Sequence, residues 1–176
     1  VAYVELDELL GIDGVDDARQ TVRRLAEAGF VSVLFNFSFN GVAPDQPTAF
    51  TELEKFADNT FTRELDDLTA VLEAVTDGQL AGVPIDADRV GLMGHSRGGG
   101  TAILQAARDR RIRTLVTWSA VSSFIERFSE AQVEDWTTQG YTEVVNSRTG
   151  QRMRLNRVLY DDARAHRDEL DVQAAA

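Results

Sequence analysis

Read for apolar spacing alone, the chain separates into short runs and long stripes. Val1–Leu6 (VAYVEL), Phe30–Phe37 (FVSVLFNF), Val90–Met93 (VGLM) and Ile112–Trp118 (IRTLVTW) are nearly continuous apolar runs rich in β-branched and aromatic residues. That is the pattern of strands, and Phe30–Phe37 and Ile112–Trp118 read as buried ones. Between the runs the apolar period lengthens to that of a helix. Val15, Ala18, Val22 and Leu25 predict a helix over Val15–Ala28, with Asp16 and Asp17 in its first turn and Gly29 as its stop. Phe61, Leu65, Leu68, Leu72 and Val75 predict a second over Phe61–Thr76, ended by Gly78, with Arg63, Glu64, Asp66, Asp67 and Glu73 as its solvated face. Thr101–Ala107 reads as a third. Asp7–Asp17 is acidic and turn-rich. Ser38–Asn59 carries Gly41, Pro44 and Pro47 and reads mostly as a loop, of the length that covers or lines a site. Ala81–Asp88, with Pro84, is a connection. Asp109–Arg113 (DRRIR) reads as a solvated helix end whose positive charge suits the helix dipole.

Strand and helix alternate up to Trp118. This predicts an α/β fold: a doubly wound, mainly parallel sheet with right-handed crossovers and its site at the carboxyl ends of the strands. From Ser119 the pattern changes. Ser129 and Gln132 form a capping box that opens a short helix through about Thr138. Tyr141–Asn146 and Gln151–Leu155 read as a hairpin around Ser147-Arg148-Thr149-Gly150. A charged helix follows over Val158–Leu170, and Asp171 is placed to cap a helix-prone VQAAA. Residues 1–118 are therefore read as the core domain, and residues 119–176 as a helix–hairpin–helix cap over the site. On this reading the chain is expected to end before the last strands of such a sheet.

Composition narrows the chemistry. The 176 residues are 43% hydrophobic and 27% charged, ordinary for one globular domain. Without cysteine there are neither disulfides nor thiolate metal sites, and two histidines, His95 and His166, make a histidine-rich metal site a poor expectation. The net charge is −11, with 17 Arg and the single Lys55 against 29 acidic residues, which disfavours nucleic acid and anionic membranes as partners. An Asp-rich, Lys-poor surface suits a high-salt cytoplasm or reflects a GC-rich genome. No apolar run approaches the length of a membrane span and no leader pattern opens the chain, so a cytoplasmic protein is the expectation.

Candidate chemistry concentrates in Arg89–Gly100 (RVGLMGHSRGGG). Gly94-His95-Ser96-Arg97-Gly98 fits G-x-S-x-G between a strand and a helix, the setting in which a serine is lifted onto a sharp turn above a sheet. Gly94 and Gly98 let the backbone cross closely without Cβ clashes. The following helix aims its first N–H groups at the place where an oxyanion would form. A phosphate-binding loop is disfavoured, because no lysine lies nearby and the G-x-G-x-x-G spacing is missing.

The run Asp86–Gly99 (DADRVGLMGHSRGG) resembles the nucleophile elbow of the α/β-hydrolase superfamily, in its dienelactone hydrolase-like and prolyl-oligopeptidase-like branch. Leu25–Asn40 resembles that branch's helix and strand ahead of the elbow, and Thr117–Ala120 the strand end after it. The resemblance implies a serine hydrolase of small esters or related acyl compounds that needs no cofactor. It implies Ser96 as nucleophile and the backbone N–H of Arg97 as one oxyanion donor. His95 falls at the variable position of the motif, where packing or substrate contact is expected rather than proton transfer.

Two departures follow. The second oxyanion donor of this fold comes from a loop after an early strand, often beginning His-Gly. Val1–Gly14 instead shows Asp7-Glu8, leaving Leu10–Gly14 to supply a different loop or the opening strands missing. The family order is Ser, then an acid, then His, each on its own loop. His166 is the one downstream histidine, and Asp161 and Asp162 share its helix, so an exposed or packing role is expected for it. Two functional expectations remain open. In one the chain is the nucleophile half of an esterase, weakly active or inactive alone. In the other it is a non-catalytic or complemented binding module that pairs with its own copy or another chain. Phe39, Phe50, Phe124, Phe128, Trp136 and Tyr141 offer an apolar pocket, or simply core.

Overall fold

Four parallel strands lie side by side in the order β2-β1-β3-β4: β1 (Ala2–Leu6), β2 (Val31–Leu34), β3 (Val90–His95) and β4 (Ile112–Trp118). The computed structural model describes residues 2–6, 12–46, 49–78, 80, 82–146 and 149–176, with backbone alone over 2–6 and 12–19. Val4 sits opposite Val33 on one side and Leu92 on the other, and His95 sits opposite Trp118. The chain leaves β1 through α1 (Ile12–Glu27) to β2. It then returns across β1, through α2 (Leu53–Ala57) and α3 (Phe61–Thr76), to β3. The winding reverses between β1 and β3, which makes that gap the switch point of the sheet. The doubly wound α/β reading is what the backbone shows.

α1 starts at Ile12, earlier than the apolar stripe predicts, because Asp13, Asp16 and Asp17 suit a helix N-terminus better than a turn. Residues 7–11 of the acidic stretch lie outside the described residues. Gly29 stops α1 as expected. Its φ is +88°, and the Phe30 N–H reaches back 2.9 Å to the Leu25 carbonyl. β2 is shorter than Phe30–Phe37 and is a sheet edge, so Leu34 is exposed and the strand is not the buried one its composition implies. Ser38–Asn59 is loop apart from α2 and a bridge between Val42 and Phe50, with Pro47 outside the described residues. α3 spans the predicted residues. The Thr60 hydroxyl caps it by accepting from the Arg63 N–H at 3.2 Å, and Gly78 follows it at φ +68°.

The apolar stripe of α3 serves two cores. Leu68, Leu72 and Val75 pack with Val90 and Leu92 of β3, Phe37 and Ala102. Phe61 and Leu65 pack with Leu104, Phe124, Trp136, Leu159 and Ala163. α4 (Ser96–Arg108) starts immediately at the end of β3, five residues before the stretch read as helical, and lies between both clusters.

One expectation fails at β4. Ile112–Trp118 reads as buried, yet Val116 is 47% exposed and Trp118 64%. Apolar sequence favours a strand, but burial needs neighbours, and among the described residues β4 pairs only with β3. The basic stretch before it is an ordinary helix end. Arg111 pairs with Asp109 at 2.6 Å, which holds the Asp109 carboxyl below the usual carboxylate range against the opposing effect of burial.

Beyond Ser119 the elements are those predicted. α5 (Glu130–Thr138) opens with the Ser129–Gln132 capping box. β5 (Tyr141–Val145) and β6 (Arg152–Asn156) form an antiparallel hairpin, and residues 147 and 148 of its turn lie outside the described residues. α6 (Arg157–Ala165) ends before Leu170. α7 (Val172–Ala175) is capped by Asp171, whose carboxylate accepts from the N–H groups of Gln173 and Ala174 at 3.0 Å. Trp136 anchors this segment: it is fully buried, stacks on Tyr160 and donates its indole N–H to the Leu155 carbonyl at 2.9 Å. Among the described residues no helix is long and apolar enough to cross a membrane.

Candidate active site

β3 ends at the switch point, and the next residue turns sharply. Ser96 has φ +52°, a left-handed conformation that L-residues other than glycine avoid. Such strain persists only where the surroundings over-determine it, and three contacts do so. A Cβ on Gly94 would fall 2.2 Å from the Gly98 carbonyl oxygen and 2.8 Å from Gly99 Cα, so Gly94 must be glycine for the turn to close. The Ser96 carbonyl accepts from the Val121 N–H at 3.0 Å, tying the elbow to the chain leaving β4. A Cβ on Gly99 would lie 2.7 Å from Ala120 Cβ, so the first turn of α4 touches the chain leaving β4 there. Ser119, just after β4, is itself left-handed at φ +50°.

A further clamp is one the apolar stripe concealed. Glu64, read as part of a solvated face, is 1% exposed. Its carboxylate pairs with the Arg97 guanidinium through both oxygens, Nε to Oε2 being 3.3 Å, and accepts from Asn59 Nδ2 at 2.5 Å. Arg97 also lies over the Phe61 ring, 4.6 Å from its centroid. The first turn of α4 is thereby fastened to α3 beside the serine. A sequence signal existed: 61, 64, 65 and 68 is the spacing of one helix face, so Glu64 sits on the apolar side of α3.

A cavity of about 380 Å³ opens beside Ser96 and Arg97. Phe61, Val121, Phe124, Phe128, Leu155 and Leu159 form its apolar wall, and Arg127 and Gln132 add polar groups. Most of this lining comes from residues after β4. Of the six aromatics considered above, Phe124 and Phe128 line the cavity and Trp136 stands behind Phe128, with ring centroids 4.9 Å apart. Phe39 lies under Arg63, Phe50 against Phe56, and Tyr141 under Arg154, so these three serve packing.

The histidines fall where expected. His95 precedes α4 and sets its ring edge-on to Trp118, with centroids 5.8 Å apart. His166 lies at the end of α6, 40% exposed, with Nδ1 3.3 Å from Asp162 Oδ1. Asp162 is itself held by Thr62, through its N–H at 3.2 Å and its hydroxyl at 2.5 Å, and Asp161 pairs with Arg157. Neither His166 nor any carboxylate lines the cavity among the described residues. Among those residues no cluster of three His, Asp or Glu is arranged to hold a metal ion. Residues 7–11, where the second oxyanion loop would begin, lie outside the description. The site thus joins a strained serine, the N-terminus of α4, a clamped arginine and an apolar cavity.

Known proteins resemble this chain in sequence and fold. An uncharacterized protein of Escherichia coli, YcjY, is 33% identical over 100 residues, covering 57% of this chain and 29% of its own. A protein of Agrobacterium vitis assigned as a hydrolase superposes with a TM-score of 0.66 at 19% identity, over 93% of this chain and 60% of that one. A Klebsiella pneumoniae protein assigned as a dienelactone hydrolase does so with a TM-score of 0.51 at 21% identity, over 73% of this chain and 51% of that one. The chain therefore spans less than two thirds of these relatives, and the two structures establish the α/β-hydrolase fold. The dienelactone hydrolase family model matches residues 2–138, from β1 through the elbow to the end of α5, and the chain belongs to that family.

Proposed function

We propose that this chain carries the nucleophile half of a serine hydrolase that cleaves small esters through Ser96. The observation that carries the reading is the left-handed Ser96 at the carboxyl end of β3, opening onto the cavity. In the proposed reaction Ser96 Oγ bonds to the ester carbonyl carbon. The oxyanion that forms lies near the Arg97 N–H and the positive end of α4. The C–O bond to the leaving alcohol then breaks, with the serine proton passing to that alcohol. Water releases the acid and restores Ser96. Residues 119–176 act as the cap in this reading, since they supply most of the cavity wall.

A serine needs a base to be an effective nucleophile, and no histidine or carboxylate lines the cavity among the described residues. Turnover by these residues alone is accordingly expected to be weak, because triad enzymes that lose the base keep only binding and oxyanion stabilisation. The test is hydrolysis of p-nitrophenyl butyrate, with Ser96→Ala as control. A slow rate abolished in the variant supports the reading; a rate the variant retains refutes it.

A second reading is favoured by β4, which among the described residues pairs only with β3 and leaves Val116 and Trp118 exposed. In it the chain is a module complemented through that edge by its own copy or another chain, since an unpaired apolar strand edge invites pairing. Light scattering after size exclusion tests self-association: dimers that dissociate on Val116→Lys support it, and a monomer at high concentration counts against it.

A further inference from the structure

We infer that the cavity beside Ser96 is an aryl-acyl pocket: it takes the apolar acyl part of a small ester and prefers an aromatic group to a saturated one of equal size. The inference rests on the reading of Ser96 as an esterase nucleophile and names the substrate class of that site.

Size comes first. A cavity of roughly 150 Å³ lined by aliphatic and aromatic side chains is enough to hold a benzene ring. The cavity here measures about 380 Å³, room for a ring and the short chain joining it to a carbonyl at Ser96. An acetyl group would leave most of that wall wet.

The walls decide the chemistry. Phe61 and Phe124 are in contact at 4.5 Å between centroids, and Phe128 stacks on Phe61 at 6.2 Å. Phe61 and Phe124 are almost fully buried. Behind Phe128, Trp136 meets it edge-on and carries a fixed hydrogen bond. The rings are thus held before any ligand arrives, so little conformational freedom is lost on binding. A ligand ring adds further face and edge contacts to this set, and aromatic pairs gain more than the buried area alone provides. A 6.2 Å spacing is too narrow to admit a ring between Phe61 and Phe128, so the ligand lies against the wall rather than within it. Leu155 and Leu159 add aliphatic surface to the lining.

The experiment uses three amides that bind without being turned over: 4-phenylbutanamide, 4-cyclohexylbutanamide and butanamide, titrated by ligand-observed NMR. The phenyl compound is expected to bind at least about tenfold tighter than butanamide, and about threefold or more tighter than the cyclohexyl compound, although cyclohexyl is the more hydrophobic ring. Leu155→Trp, at a half-buried position on the wall, lowers the phenyl affinity at least about tenfold by filling the space. Should that variant fail to fold, Phe128→Leu removes one ring, and the phenyl-over-cyclohexyl preference shrinks. Equal or better binding of the cyclohexyl compound overturns the inference, as does binding of the phenyl compound no tighter than butanamide, or variants that fold and change nothing. Aryl preference without Ser96-dependent ester turnover sinks the esterase reading and leaves the pocket standing. Turnover without aryl preference does the reverse.

Discussion

Glu64→Ala tests whether the clamp on the elbow works as its geometry implies. The substitution removes a carboxylate that is 1% exposed and leaves the Arg97 guanidinium, 21% exposed, without that counter-charge. Breaking a buried pair by deleting one partner costs ~3–5 kcal/mol, because the remaining charge stays desolvated. Arg97 is open enough to recover some hydration, and Asn59 loses an acceptor worth ~1 kcal/mol, so the net loss is placed at ~2–4 kcal/mol. For a chain of this length, at ~2–4 °C per kcal/mol, the melting temperature falls by about 5–15 °C. The informative control is Glu64→Leu with Arg97→Met. Removing both charges together removes the counter-charge and the ion it faces, and recovers at least half the loss. Thermal unfolding followed by circular dichroism reads all three proteins. A single variant melting within about 2 °C of the parent would show the pair to be a solvated contact of small worth. A double variant as unstable as the single one would show the loss to be packing rather than the missing counter-charge.

Three further outcomes follow from the same geometry. Gly94→Ala is expected to lose most of the folded protein on expression, whereas Gly100→Ala melts only a few degrees low. The added Cβ meets backbone at 2.2 Å in the first case, and side-chain atoms of Val121 and Phe124 at 2.6 and 3.0 Å in the second. Ser96→Gly relieves the left-handed backbone and raises stability by ~0.5–1 kcal/mol while abolishing any esterase rate, so chemical denaturation and the butyrate assay move in opposite directions. Asp109→Asn removes a carboxylate whose pKa the Arg111 hydrogen bonds depress. A depressed folded pKa means stability present above the unfolded value of about 4 and lost as pH falls through the lower folded value. Arg111 is partly exposed, so the variant is less stable by only ~0.5–1 kcal/mol at pH 7. The gap narrows below about pH 4 in urea titrations.

What the chain determined by itself is everything encoded by nearest neighbours and short periods. The stripe from Phe61 to Val75 marks α3 to the residue. Gly29 and Gly78 stop their helices, Ser129 and Asp171 cap theirs, and the glycines around Ser96 announce an elbow that the backbone then builds. These are local effects of capping, chirality and Cβ sterics, written in a few consecutive residues. The tertiary structure alone decided what depends on distant partners. Glu64 sits on the apolar face of α3, and the approach of Arg97 from α4, with the Asn59 amide, makes a carboxylate tolerable there. Ile112–Trp118 carries enough apolar residues for a core strand, yet its burial depends on a neighbour that none of the described residues supplies. Ser96 likewise reads as a nucleophile from its turn. The apolar cavity it faces is assembled from α3, α4 and the segment after β4, and no run of adjacent residues records that convergence. Local conformational energies are paid residue by residue along the chain, whereas desolvation is set by whatever the fold brings alongside.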